Sequence, residues 1–281
     1  MDQAVVVGVD GSARSAAAAD WAAQAARRSG RPLRMLYVAG AEPESASAGT
    51  FPLPVAAVRE VIADRYPEVE LRCERTPGDP KYVLAAAGER SGLLVLGSRA
   101  LGAFGGTLVG SVGLGAAAHS RCPVVLVRAG AANQGGYPGE VVVGVEGGRP
   151  CDAVLGFAFA QAAERGVVLR AVESRTQAAG RYRTEAPMEP WEIRDAVLAA
   201  EETTLRDALA RWREKYPAVR TVAEVVPEPA AKVLTESSRA ASLLVLGRRS
   251  PGHPMAAPHL GPVAHAVLHH AHCPVAVVPH D

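Results

Sequence analysis

Two tandem doubly wound α/β domains, each with a five-stranded parallel sheet flanked by helices, are the fold class that this sequence predicts. Three observations carry the expectation. Short β-branched or apolar runs alternate with alanine-rich segments of helical length, the pattern of parallel βαβ units with right-handed crossovers. The pattern then repeats. Val141-Val-Val-Gly-Val-Glu-Gly147 copies Val5-Val-Val-Gly-Val-Asp-Gly11 at an offset of 136, Leu243-Leu-Val-Leu-Gly247 copies Leu93-Leu-Val-Leu-Gly97 at 150, and Cys273-Pro-Val275 copies Cys122-Pro-Val124 at 151. Self-similarity at so long a period means two copies of one domain rather than a solenoid. Finally, 281 residues are enough for two such domains.

Taken in order, Ala4 to Val9 is a β-branched run and reads as a central strand. Asp10-Gly-Ser12 ends it, and an alanine-rich helix follows over about Ser15 to Arg28, with Ser12 or Ser15 available as its cap and Gly30 as its stop. Arg34 to Val38 is the second strand, and a polar, proline-containing loop covers Gly40 to Pro54. The second helix spans about Val55 to Tyr66, and Val69 to Arg75 alternates like a third strand. Pro77-Gly-Asp-Pro80 is a turn opening a third helix, Pro80 to Arg90. Leu93 to Leu96 is a short apolar run suited to a parallel sheet covered on both faces. A glycine-rich loop, Gly97 to Val109, precedes a helix over Gly110 to His119 and a last strand from Cys122 to Val127.

The linker composition of residues 131–138 separates a first domain, 1–130, from a second, 139–281. The offset between copies grows by 14 between the first two anchors, which places an insertion in the region from about Glu173 to Tyr216. One further residue is inserted within the second glycine loop.

Composition narrows the function classes. A net charge of +1 argues against nucleic-acid or membrane partners held by bulk electrostatics. Hydrophobic residues make up 48% and aromatics 5%, so the cores are built from Ala, Val and Leu. Four scattered cysteines without Cys-x-x-Cys spacing fit reduced thiols in a cytoplasmic protein. The first residues run straight into a strand with no basic-then-apolar leader, and no apolar run reaches the length of a membrane span.

The chemistry concentrates between Leu93 and Val112. Gly97, Gly102, Gly105, Gly106 and Gly110 let the backbone approach a ligand where a Cβ would clash. Ser111 stands at a helix start, beside unpaired N–H groups and the positive end of the helix dipole. Strand, glycine loop and helix N-terminus together suit a phosphate. Neither Gly-x4-Gly-Lys-Ser/Thr nor a Gly-x-Gly-x-x-Gly after the first strand occurs. In an open α/β sheet this loop should meet the end of the first strand at the carboxyl edge. Asp10 would then accept hydrogen bonds from a ribose hydroxyl or an adenine amino group, although a post-strand Asp is as often a helix cap. Arg99 is a candidate phosphate partner within the loop.

Gly97-x-x-Ala100-x9-Gly110-Ser111 resembles the Gly-x-x-Gly-x9-Gly-Ser/Thr loop of the ATP-binding universal stress proteins, with Ala100 in place of the second glycine. Val5-Val-Val-Gly-Val-Asp10 resembles that family's first strand and Cys122-Pro-Val-Val-Leu-Val127 its last, and the likeness occurs twice, as in tandem two-domain members. The resemblance implies ATP, alone or with Mg, in the first domain. Val9 and Leu96 would pack near the base and Val38 would offer backbone groups to the adenine edge. Gly97, Gly110, Ser111 and Val112 would hold ribose and phosphates. It further implies a nucleotide-dependent stress-response or signalling role, and dimerisation through last strands. Here those strands, Val124 to Val127 and Val275 to Val278, would pair within the chain, and whole chains could form a homodimer beyond that. If the Ala100 position needs φ > 0, alanine costs about 1 kcal/mol and lowers affinity.

The second loop is a degenerate copy. Glu146 replaces Asp10, Ser250 the second glycine, and Gly261-Pro262 replaces Gly110-Ser111, so Pro262 supplies neither N–H nor hydroxyl. Arg248 and Arg249 could hold an anion there, though paired arginines are more often solvated. Seven of the eight histidines fall between His253 and His280, and His265 and His269 have the i, i+4 spacing of metal ligands. Surface histidines are the simpler reading, since no spacing completes a tetrahedral site. The competing function classes are an adenine-nucleotide hydrolase or adenylating enzyme, and a scaffold without nucleotide. Phosphoryl transfer needs metal-holding carboxylates, and only Asp10 lies near the loop.

Overall fold

In a computed structural model of the protein, the described residues are 4–40, 51–89, 91–98, 110–128, 139–146, 151–175, 190–250 and 259–281. The first half runs β1 (Val5–Val9), α1 (Ala13–Ser29), β2 (Leu33–Ala39), α2 (Leu53–Arg65), β3 (Leu71–Pro77), α3 (Pro80–Glu89), β4 (Leu93–Ser98), α4 (Ser111–His119) and β5 (Val124–Arg128). The second runs β6 (Glu140–Val145), α5 (Asp152–Arg165), β7 (Leu169–Ser174), α6 (Pro190–Lys215), β8 (Thr221–Val226), α7 (Ala230–Ser237), β9 (Ala241–Arg249), α8 (Pro262–His270) and β10 (Val275–His280). Each half is an α/β unit with a five-stranded parallel sheet, in the orders β3-β2-β1-β4-β5 and β10-β9-β6-β7-β8.

Strand alternation assigns the two faces. Val5, Val7 and Val9 point to the layer formed by α1, α2, α5 and α6, whereas Val6 points to the layer of α3, α4, α7 and α8. Buried on both sides, the strands can be runs of valine and leucine. The first helix is rich in alanine because Ala18, Ala19, Ala22, Ala23 and Ala26 are buried against the sheet, where small side chains allow close approach. Ser12 caps it by accepting a hydrogen bond from the Ser15 N–H at 3.3 Å. Gly30 ends it at φ 65°, a left-handed conformation, with its N–H turned to the last-turn carbonyls of Ala26 and Arg27.

Boundaries moved where pairing outlasts the local pattern. The end of β4 is Ser98 rather than Leu96, because Gly97 and Ser98 stay in register with Val127 and Arg128. The third strand begins at Leu71 and takes in Pro77, following β2 from Leu33 to Ala39. The length surplus of the second half includes α6, at 26 residues twice the 13 of α2. Residues 176–189 of that same region lie outside the described ones.

The halves share one ten-stranded sheet. The junction is the one expected from the two last strands: β5 pairs antiparallel with β10, with Val275 opposite Leu126, Ala276 opposite Val125 and Val277 opposite Val124. On one face the Arg165 guanidinium lies over the Trp21 ring of the other half, 5.3 Å from its centroid. On the opposite face two buried arginines cross the seam. Arg128 donates to the Leu268 carbonyl in the last turn of α8 (2.9 Å), and Arg248 donates to the Ser120 carbonyl at the end of α4 (2.7 Å). A cation at a helix C-terminus meets both an unsatisfied carbonyl and the negative end of the dipole.

Candidate functional site

Strand order reverses between β1 and β4, where the chain leaves toward β2 on one side and β5 on the other. Loops diverge at such a point and leave a crevice at the carboxyl ends of the strands. A cleft of about 300 Å³ opens there, lined among others by Val9, Asp10, Val38, Leu96, Gly97, Gly110, Ser111 and Val112. These candidates, read from the sequence on three separate stretches, are thus brought together. Arg99 and Ala100 lie outside the described residues, as do Gly102, Gly105 and Gly106.

The cleft has an apolar slot and a polar end. Leu36, Val38, Leu84 and Leu96 line the slot, supplied by β2, α3 and β4. The polar end holds Asp10, Ser12, Arg14 and Ser111. Asp10 follows β1, and its Oδ1 accepts from the Ser12 N–H (2.9 Å) and the Ser12 hydroxyl (2.5 Å). Burial raises its pKa, but the hydrogen bonds from Ser12 and Ser15 and the nearby Arg14 outweigh that and hold it below 3.8. The carboxylate is therefore charged and fixed by its own turn. Cap and ligand readings are both served, because Ser12 caps α1 while Asp10 orients Ser12.

The two glycines have different reasons. A Cβ on Gly97 would fall 2.5 Å from the Arg14 carbonyl oxygen, so glycine is required for the end of β4 to pass under the first turn of α1. A Cβ on Gly110 would meet nothing within 4 Å. Among the described residues, nothing fills the space above Gly110. Ser111 begins α4, whose first N–H groups have no intrahelical acceptor. An anion in the polar end would meet those N–H groups, the Ser111 hydroxyl and Arg14. Arg14 was not foreseen. Its signal was its place four residues after Asp10, in the first turn of the helix that leaves the strand.

The second half carries the corresponding cleft, about 340 Å³, at the ends of β6 and β9. Gly144, Val145, Glu146, Leu234, Leu246 and Gly247 line it where Gly8, Val9, Asp10, Leu84, Leu96 and Gly97 line the first. Arg248 corrects the sequence expectation: it is 5% exposed and spans the seam to Ser120, so it cannot hold an anion in this cleft. Arg249 instead donates to the Glu146 carboxylate at 2.8 Å. The rings of His265 and His269 lie 4.6 Å apart on α8. Among the described residues, no group of three or more His, Cys, Asp or Glu side chains is placed to hold a metal, and no helix is long and apolar enough to cross a membrane.

Comparison with known proteins agrees with this duplicated architecture. The universal stress protein family model matches residues 1–128 and again 139–279. Universal stress protein Rv2005c of Mycobacterium tuberculosis is 31% identical over 97% of this chain and 96% of its own length. A second relative, Universal stress protein Rv2623 of the same organism, is 29% identical over 97% of this chain and 95% of its own length. Among solved structures, a universal stress protein from Archaeoglobus fulgidus superposes with a TM-score of 0.66 at 17% identity, covering 99% of both chains, a likeness of fold. With the family model matched twice over nearly its whole length, this chain belongs to the universal stress protein family.

Proposed function

We propose that the first half binds one adenine nucleotide, ATP by the loop resemblance, and that the protein acts as a nucleotide-dependent stress-response or signalling protein in the cytoplasm. On this reading residues 1–130 are the nucleotide domain, 131–138 a linker, and 139–281 a second domain of the same fold. The observation that carries it is the convergence of Asp10, Arg14, Gly97, Gly110 and Ser111 around one cleft whose remaining wall is apolar. The base would take the slot between Leu36, Val38, Leu84 and Leu96. Asp10 would take ribose hydroxyls, and the start of α4 with Arg14 the phosphates.

Binding rather than phosphoryl transfer is favoured because Asp10 is the one carboxylate among the described lining residues, and it is already engaged by Ser12. Calorimetric titration of the whole chain with ATP tests the proposal. One ATP per chain is expected, and Gly110→Glu should weaken it at least about tenfold by placing bulk and negative charge where phosphate would lie. The glutamate meets open space, so the fold should survive. ATP affinity unchanged by that substitution would overturn the assignment.

A further inference from the structure

Among the described residues, the second cleft repeats the apolar slot of the first without the Arg14 and Ser111 of its polar end. Val172, Leu234 and Leu246 stand where Leu36, Leu84 and Leu96 stand, and Glu146 stands for Asp10. Polar positions of the first cleft have changed. Pro150 replaces Arg14 and Cys151 replaces Ser15 at the offset of the first strands. Pro262 replaces Ser111 as the first residue of α8, removing one hydroxyl and one N–H from the rim. Of the two arginines that follow Gly247, Arg248 is held by Ser120 across the seam and Arg249 by Glu146 at the cleft itself.

His280 also lines the second cleft. A Cβ on Gly247 would fall 2.8 Å from His280 Nε2, so the imidazole sits on the glycine that opens the second loop. His280 is at the end of β10, which runs on to pair Pro279 and His280 with Arg248 and Arg249. The corresponding face of Gly97 is met by the backbone of α1 instead. The slot therefore remains, at about 340 Å³, with the His280 ring in its lining and a proline as the first residue of α8.

We infer that the second cleft is a binding site for an uncharged, nucleoside-sized heteroaromatic molecule, and that it discriminates strongly against the phosphorylated form the first cleft takes. The base class rests on the adenine-nucleotide reading of the first cleft. The discrimination against phosphate rests only on the residues of the second. In the filled site the ring lies between Leu234, Leu246 and Val172, Glu146 accepts from sugar hydroxyls, and the Ser174 side chain at the end of β7 is within the lining. The chain would then hold two related ligands that differ in charge, one in each half.

Cys151 supplies the readout. It is half-buried, lines the second cleft and is absent from the lining of the first. Cys73, also half-buried, lies on β3 away from both and serves as the internal control. Alkylation of the whole chain with iodoacetamide, followed residue by residue by peptide mass spectrometry, is expected to show adenosine slowing Cys151 about tenfold when about nine-tenths of the clefts are filled. Cys73 should be unaffected. In Gly110→Glu, whose first cleft is blocked, adenosine should still protect Cys151 and ATP at equal concentration should not. ATP protecting Cys151 as well as adenosine does, or adenosine giving no protection at saturating concentration, would overturn the inference. Failure of the first-cleft reading is seen separately, as ATP titration heat that Gly110→Glu leaves unchanged.

Discussion

At the scale of single residues, on the proposed reading, Asp10 and Arg14 divide the work of the first cleft. Asp10 has a folded pKa below 3.8, so its ionisation favours the folded state above the unfolded value, and that contribution is lost as pH falls through the lower folded value. Across the neutral range the carboxylate is fully charged. Nucleoside binding through Asp10 should therefore be flat between about pH 5 and about pH 8, well above the carboxylate range. Adenosine titrations at the two ends would check this, and a midpoint inside the window would mean that another group carries the contact. Arg14 faces the polar end, so Arg14→Ala should weaken ATP about tenfold or more and leave adenosine nearly unchanged, since a charged hydrogen bond contributes about 1.5–3 kcal/mol. Equal losses for both ligands would place Arg14 away from the phosphates. That Asp10, Gly97, Gly110 and Ser111 meet at one cleft was legible, because residue type and spacing place them at the carboxyl ends of neighbouring strands. Arg14 and His280 were not, since only the packing of α1 over β4 and the extension of β10 show where those side chains come to lie.

At the scale of elements, the seam is where the sequence said least and the structure says most. Repetition of the Cys-Pro-Val strands was enough to expect β5 beside β10, and the observed register follows. Nothing in the local pattern announced that Arg248 would leave its loop. Two consecutive arginines after a strand look solvated, and only the continued pairing of β9 with β10 buries the first of them. Removing it should cost stability rather than binding. Arg248→Ala leaves the buried Ser120 carbonyl without its donor, a loss of about 1–3 kcal/mol partly offset because burial already disfavours the guanidinium charge. A lower denaturation midpoint with unchanged ATP affinity is the expected result. Leu126→Lys tests the strand pair itself. From the sequence, a lysine there would be expected to undock the halves and leave the second sheet intact. Leu126 is instead 2% exposed within a core that runs on through Val275 and Val277 into the second half. An unpaired charge there should cost about 3–5 kcal/mol and lower the melting of both halves together. A second-half transition that stays at its original temperature would show that the two cores are energetically separate.

At the scale of the whole molecule, duplication has given two clefts of similar size at the ends of two symmetric sheets, and substitution has made them unequal. Cutting the chain into halves is a poor test of that inequality. It would expose β5 and β10 as open edges and strip both seam arginines of their carbonyls. Titration of the intact chain avoids this. At physiological salt, one ATP per chain is expected, because only the first cleft joins Arg14 with Ser111 at a helix start. Among the described residues at the second cleft, Arg249 is a cation held in an exposed pair with Glu146. Exposed pairs are screened strongly as the Debye length falls from about 30 Å at 0.01 M salt to about 8 Å at 0.15 M. Low salt should therefore bring out a second, weak ATP event that Arg249→Ala abolishes, while the first persists with a shallower salt dependence. A difference of at least about a hundredfold between the two events follows from the loss of two charge-assisted contacts. Two equal, salt-resistant ATP sites per chain would mean that Pro262 in place of Ser111 does not weaken phosphate binding, and the asymmetry of the halves would then lie only in their loops.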